Sequence, residues 1–144
     1  MRVSDILRRK GVETITVPPD VDVRRLVALL AEHSIGAIVV SADGRSIHGI
    51  ASERDVVTAI AERGAAVLSE PVTSIYTAEV HTATPETQID ELMRLMTDKR
   101  IRHVPVVSDG ALHGIISIGD VVKSRIGELE SERSALSDYI TTAS

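Results

Sequence analysis

Two short constellations in this chain could do chemistry: Ser52-Glu53-Arg54-Asp55 and Ser117-Ile118-Gly119-Asp120. Each follows a glycine and an apolar strand end, in GIASERD (49–55) and GIISIGD (114–120). A serine three residues ahead of an aspartate, at the start of a helix, is the pattern of a capping box, in which the hydroxyl takes a backbone N–H. The same place carries free N–H groups and the positive end of the helix dipole, which favour an anion. A carboxylate there can accept two hydrogen bonds from the vicinal diol of a ribose, while the serine hydroxyl and the N–H groups reach a phosphate. Capping and binding use different atoms, so both roles stand open. Recurrence of the pattern at one place in two copies favours the ligand.

What positions these groups is an internal repeat. Residues 35–57 (IGAIVVSADGRSIHGIASERDVV) match residues 101–122 (IRHVPVVSDGALHGIISIGDVV). Ile35 and Ile101 stand 66 apart, whereas Gly49 and Gly114, like Asp55 and Asp120, stand 65 apart, because the second turn is one residue shorter. Upstream, Pro19 matches Pro85, Val23 matches Ile89 and Leu26 matches Leu92. In 21–33 the apolar residues Val23, Leu26, Val27 and Leu30 fall at i, i+3, i+4 and i+7, one helical face. Ile89, Leu92, Met93 and Met96 repeat that spacing. Segments 37–41 and 47–51 read as hairpin strands around Ala42-Asp43-Gly44, with 104–107 and 112–116 as their counterparts around Ser108-Asp109-Gly110. A brief strand at 15–17 and helices starting near Ser52 and Ser117 complete a β-α-β-β-α order in each copy. Residues 3–10 form a short helical turn ahead of it, and 64–79 form a connector broken by Pro71. The fold class is α/β (α+β), with two units about a pseudo-two-fold axis. The division is 1–66 for the first repeat, 67–125 for connector and second repeat, and 126–144 for a C-terminal helical extension. Each unit alone would bury a poor core, so the two are expected to share one interior. Clefts between packed units are where small ligands bind.

The last helix is expected over 121–140. Val122, Ile126, Leu129, Leu136 and Ile140 step by 4 and 3, with Arg133 in the interrupted place, which is a short heptad seam. It packs either on its own module or on a helix of another subunit.

Composition narrows the function. The 144 residues are 43% apolar, carry a formal charge of −5 and contain no cysteine, so neither a disulfide framework nor thiol chemistry is available. Net negative charge and an aromatic complement of Tyr76 and Tyr139 argue against nucleic-acid binding. No apolar run reaches the ~20 residues of a membrane span, and no signal-peptide core is present; the expected location is cytoplasmic. The five histidines show no metal-ligand spacing, and His48 and His113 hold equivalent structural places. There is no P-loop, no G-x-G-x-x-G and no triad, so no enzyme is expected.

The helix ahead of IGAIVV and IRHVPVV, the hairpin, G-I-x-S-x-x-D and the valine pair after the aspartate resemble a tandem pair of cystathionine-β-synthase (CBS) domains, a Bateman module, over about residues 1–125. The resemblance implies a regulatory module that binds an adenine nucleotide in the clefts between repeats and senses energy or redox state. AMP and NAD are favoured as ligands over ATP, since no Mg²⁺-binding carboxylate pair is evident; ADP and S-adenosylmethionine also occur in the family. Carried over, Asp55 and Asp120 would hold ribose hydroxyls, and Ser52 and Ser117 ribose or phosphate. Gly36-Ala37 and Arg102-His103 would line the clefts. Backbone near Val12 and Ala78 would read the adenine edge, with Ile38, Val104 and the neighbouring Pro105 around the ring. The copies differ: Arg54 stands where the second has Gly119, whose missing side chain admits a phosphate to the backbone, and Val39 stands where the second has Pro105. Charge from Arg54 and Arg102, with Lys10 or Lys123, would converge on one polyphosphate. The family also implies a disc-like homodimer and an effector protein that the residues do not identify. The other reading is a structural protein that oligomerises or docks a partner through its helices.

Overall fold

The structure is a computed structural model that describes the backbone of residues 1–143 and the side chains of residues 1–141. Its elements run α1 (Val3–Lys10), β1 (Thr16–Val17), α2 (Val23–His33), β2 (Ala37–Val40), β3 (Gly49–Ser52), α3 (Glu53–Arg63), α4 (Ile89–Lys99), β4 (His103–Ser108), β5 (Ala111–Ser117) and α5 (Ile118–Ala143). Two 3-10 turns, Ala65–Ser69 and Val72–Ser74, carry the connector on either side of Pro71.

The repeat is visible in the hydrogen bonding. β2 and β3 pair antiparallel from Ala37↔Ser52 to Val40↔Gly49, and β4 and β5 pair from His103↔Ser117 in the same register. The second hairpin closes through Asp109 and Gly110, both at positive φ (53° and 75°), as a two-residue turn matched to strand twist requires. Val17 lies parallel to Val40, and Ala83 parallel to Val106. The expected first strand of the second copy is thus a single bridge, held by Ala83 N–H to Pro105 O (3.0 Å) and Val107 N–H to Ala83 O (2.8 Å). The chain ahead of it is diverted, because Thr77 is tied to Ile50 by two 2.9 Å backbone bonds.

The helices follow their periodicity. α2 buries Val23, Leu26 and Leu30, and its N-cap Asp22 accepts the Arg25 N–H at 2.8 Å. α4 buries Ile89, Leu92 and Met96. Both helices end on a left-handed residue, Ser34 (φ 52°) and Arg100 (φ 54°).

The cores do not follow chain order. α1 places Val3, Ile6 and Leu7 among Ile89, Leu92, Met96, Val104, Val106, Ile116 and Val121 of the second repeat. Val72, with Leu68 and Ile75, packs against Val17, Leu26, Ile38 and Val56 of the first. The backbone repeats this exchange. Val3 N–H donates to Thr87 O, and Val72 N–H to Val21 O, so each repeat takes the segment that precedes the other. The expected single interior is two core clusters, each completed by the opposite half of the chain.

α5 runs unbroken beyond both ends of the expected helix. Its seam is open: Val122, Ile126, Leu129, Leu136 and Ile140 are 49–61% exposed. No helix among the described residues is long and apolar enough to cross a membrane.

Candidate functional site

Strand β3 delivers Ser52 to the first turn of α3, and the capping box forms. The Ser52 hydroxyl accepts the Asp55 N–H at 3.2 Å and donates to Asp55 Oδ2 at 3.0 Å, while Ser52 N–H donates to the same oxygen at 2.8 Å. All three contacts lock the carboxylate in place through Oδ2 or the main chain, which leaves Oδ1 for a ligand. The second copy repeats the geometry: Ser117 N–H to Asp120 Oδ2 is 2.9 Å and Asp120 N–H to Ser117 Oγ is 3.1 Å.

Asp55 opens on a cleft of about 520 Å³ between the repeats, within the range of small-molecule sites. The first repeat supplies Ile50, Ser52, Glu53, Arg54, Asp55 and Val57. The connector supplies Thr77, Glu79, Val80 and His81, and the start of the second hairpin supplies Arg100, Ile101, Arg102 and His103. Arg54, Arg100 and Arg102 thus line the same cleft as the helix terminus that carries Asp55. A planar guanidinium fork suits a phosphate, and a fixed carboxylate suits a diol.

His103 of the second repeat packs against Gly36 of the first. A Cβ on Gly36 would lie 3.0 Å from its ring, so glycine there lets the imidazole pass against the backbone. Burial, and after it the charge of Lys10, lowers the His103 imidazole below its usual range; Glu53 and Asp120 pull it up and Arg102 pulls it down. Burial thus favours the neutral imidazole, which has one nitrogen to donate and one to accept.

Of the residues read from sequence, the cleft gathers Ser52, Arg54, Asp55, Arg102 and His103. Ala78 is exposed between two lining residues, Thr77 and Glu79. Ile38 (1% exposed), Val104, Ala37 and Pro105 stand inside the cores and do not line it; the apolar side chains on the cleft are Ile50, Val57, Val80 and Ile101. Val12 lies instead on a smaller cavity of about 210 Å³ with Ser4, Leu7, Arg8, Pro85 and His113. Gly119 is exposed one residue from Asp120, on the second constellation. Lys10 does not join Arg54 and Arg102; its ammonium sits 2.6 Å from Asp120 Oδ2.

Arg100, Glu79 and His81 were not singled out in the sequence. Arg100 carried one signal: it is the residue before an apolar strand-start repeat, at the place of Ser34, and both adopt the left-handed conformation that usually favours glycine. The left-handed turn ends each helix and, in the second copy, sets Arg100 at the rim of the cleft. Among the described residues no group of His, Asp and Glu could hold a metal ion.

The CBS domain model matches this chain twice, over residues 3–62 and 72–127. A mitochondrial CBS domain-containing protein of Arabidopsis thaliana, CBSX3, is 37% identical over 96% of this chain and 71% of its own length. The structure superposes on a CBS-domain containing protein of Agrobacterium tumefaciens with TM-score 0.84 and 48% identity, covering 87% of this chain and 99% of the other. A CBS domain protein of Pyrobaculum aerophilum, solved in complex with AMP, superposes with TM-score 0.73 and 29% identity, covering 83% and 89%. With two matched repeats, a shared hairpin register and a cleft at their junction, the chain belongs to the CBS domain family, as a tandem pair.

Proposed function

We propose that this chain is a regulatory module that binds an adenine nucleotide, AMP or NAD, in the cleft beside Asp55. One observation carries the reading: a single cleft brings the capped Asp55 of the first repeat against Arg100, Arg102 and His103 of the second. Asp55 Oδ1 takes the ribose diol. Arg54, Arg100 and Arg102 take the phosphate, and Ile50, Val57, Val80 and Ile101 offer the apolar wall for a base. The AMP complex of the Pyrobaculum relative supports the ligand class. Because both repeats contribute walls, a nucleotide here ties them together. It can signal to an effector through whatever difference in affinity it has for two arrangements of the repeats. The role is binding, not catalysis.

The test is calorimetric titration of the nucleotide-stripped chain with AMP, ATP, NAD and S-adenosylmethionine. Saturable heat with AMP or NAD is expected. No heat with any of the four, from protein folded by circular dichroism, overturns the reading in favour of an interaction protein.

The exposed seam of α5 supports a second element of the proposal, that two copies meet. Val57 and Val122, equivalent in the two repeats, are 66% and 49% exposed, and the seam continues from Val122 to Ile140. An apolar stripe of that length on one helix is ordinarily covered. Light scattering at micromolar concentration is expected to give twice the chain mass of 15.5 kDa.

A further inference from the structure

The two Ser-x-x-Asp sites are alike in their capping geometry and unlike in what faces the carboxylate. At the second, Lys10, the last residue of α1, places its ammonium 2.6 Å from Asp120 Oδ2 and 2.8 Å from the Ile115 carbonyl. Ile115 is the repeat counterpart of Ile50, which lines the first cleft beside Asp55. So the lysine fills, in the second repeat, the space between helix terminus and strand that is open cavity in the first.

The exchange of segments explains why the first repeat has no such occupant. Val3 and Val72 make equivalent backbone bonds and stand 69 residues apart. Leu7 and Tyr76, also 69 apart, meet the equivalent glycines Gly114 and Gly49. The same interval takes Lys10 to Glu79, which lines the first cleft. An acid at that place offers Asp55 no counter-charge. Among the described residues no cation pairs with Asp55.

Lys10 is not a stray surface contact. Burial alone would raise the Asp120 carboxyl, but the hydrogen bonds from Lys10 and Ser117 and the lysine charge outweigh it and hold the carboxyl below its usual range. The neighbouring turn of α1 is also fixed, with Arg9 Nη2 donating to the buried Ser124 Oγ at 2.8 Å.

Resting on the nucleotide reading above, we propose that Lys10 is the built-in occupant of the second cleft, standing where a ribose would bind Asp120. The chain then takes one AMP, at Asp55, and a second nucleotide enters only by displacing the lysine. The specificity-determining pair is Lys10 and Glu79: their charges decide which of two equivalent aspartates is open.

The probe is AMP, and the measurement is stoichiometry by titration calorimetry on the full chain. Wild type is expected to bind one AMP per chain. Lys10→Met, a change at a one-third-exposed side chain at the end of α1, is expected to bind two, the second within about tenfold of the first. Lys10→Met with Asp120→Asn is expected to return to one, which a general loosening of α1 would not do. Lys10→Gln serves as the second variant if Lys10→Met is not folded. Two equal sites in wild type, or one site in both Lys10 variants with the Asp55 site intact, overturns the inference while leaving the nucleotide reading standing. No binding by any of these proteins overturns both.

Discussion

Asp55→Ala is expected to weaken AMP binding about a hundredfold while the chain stays folded. A ribose diol on a fixed carboxylate makes two charge-assisted hydrogen bonds, each contributing about 1.5–3 kcal/mol. At the low end of that range, which is already net of exchange with water, the pair contributes about 3 kcal/mol, or roughly two decades in dissociation constant. Stability falls less. Asp55 Oδ2 is one half of the α3 capping box, and removing a cap partner costs about 1 kcal/mol. Asp55→Asn keeps an acceptor oxygen for the cap and loses the charge, so its loss of affinity is expected nearer tenfold. Affinity within twofold of wild type in Asp55→Ala would remove this residue from the site. Titration calorimetry with AMP reads all of these.

Gly49→Ala is expected to destabilise the chain by about 1–3 kcal/mol, the usual cost of overpacking, and to weaken AMP binding with it. A methyl on Gly49 would overlap the Tyr76 ring and the Thr77 carbonyl. Neither can yield cheaply. Thr77 is bonded to Ile50 in both directions, and the chain that follows it supplies Glu79, Val80 and His81 to the cleft. Gly114→Ala is the internal control. There the methyl would meet the Leu7 side chain, Cδ2 at 2.8 Å, and a leucine end can turn aside, so the cost is expected to be smaller. Denaturant midpoints at unchanged slope measure the difference. Equal midpoints for the two variants would contradict the assignment of Thr77 as a fixed point.

Much of this architecture was legible because duplication prints the same constraint twice. The helical faces of α2 and α4, the hairpin registers and the two capping boxes all lie at offsets of 65 or 66. Of the residues that line the cleft, Ser52, Arg54, Asp55, Arg102 and His103 sit in those matched stretches. What was not legible lies where the copies diverge. VSDILRRK and the connector residues 72–79 (VTSIYTAE) share almost no side chains and align only at an offset of 69, so a scan at 66 sets Lys10 against Tyr76 rather than Glu79. The partner of Lys10 depends on that three-residue slip. That Ile38 and Val104 are buried away from the cleft was not legible for a different reason. Ile38 and Val104 are apolar in a strand flanked on both faces, and nothing in their type separates a core valine from one that touches a ligand.

The exchange of leading segments has a consequence for what counts as a unit. The stretch copied along the chain is β-α-β-β-α, but the body that closes a core is that stretch plus a loan from its neighbour: α1 to the second repeat, Val72–Ser74 to the first. The repeated piece and the folding piece are therefore different objects: each core closes only with the segment that precedes the other repeat.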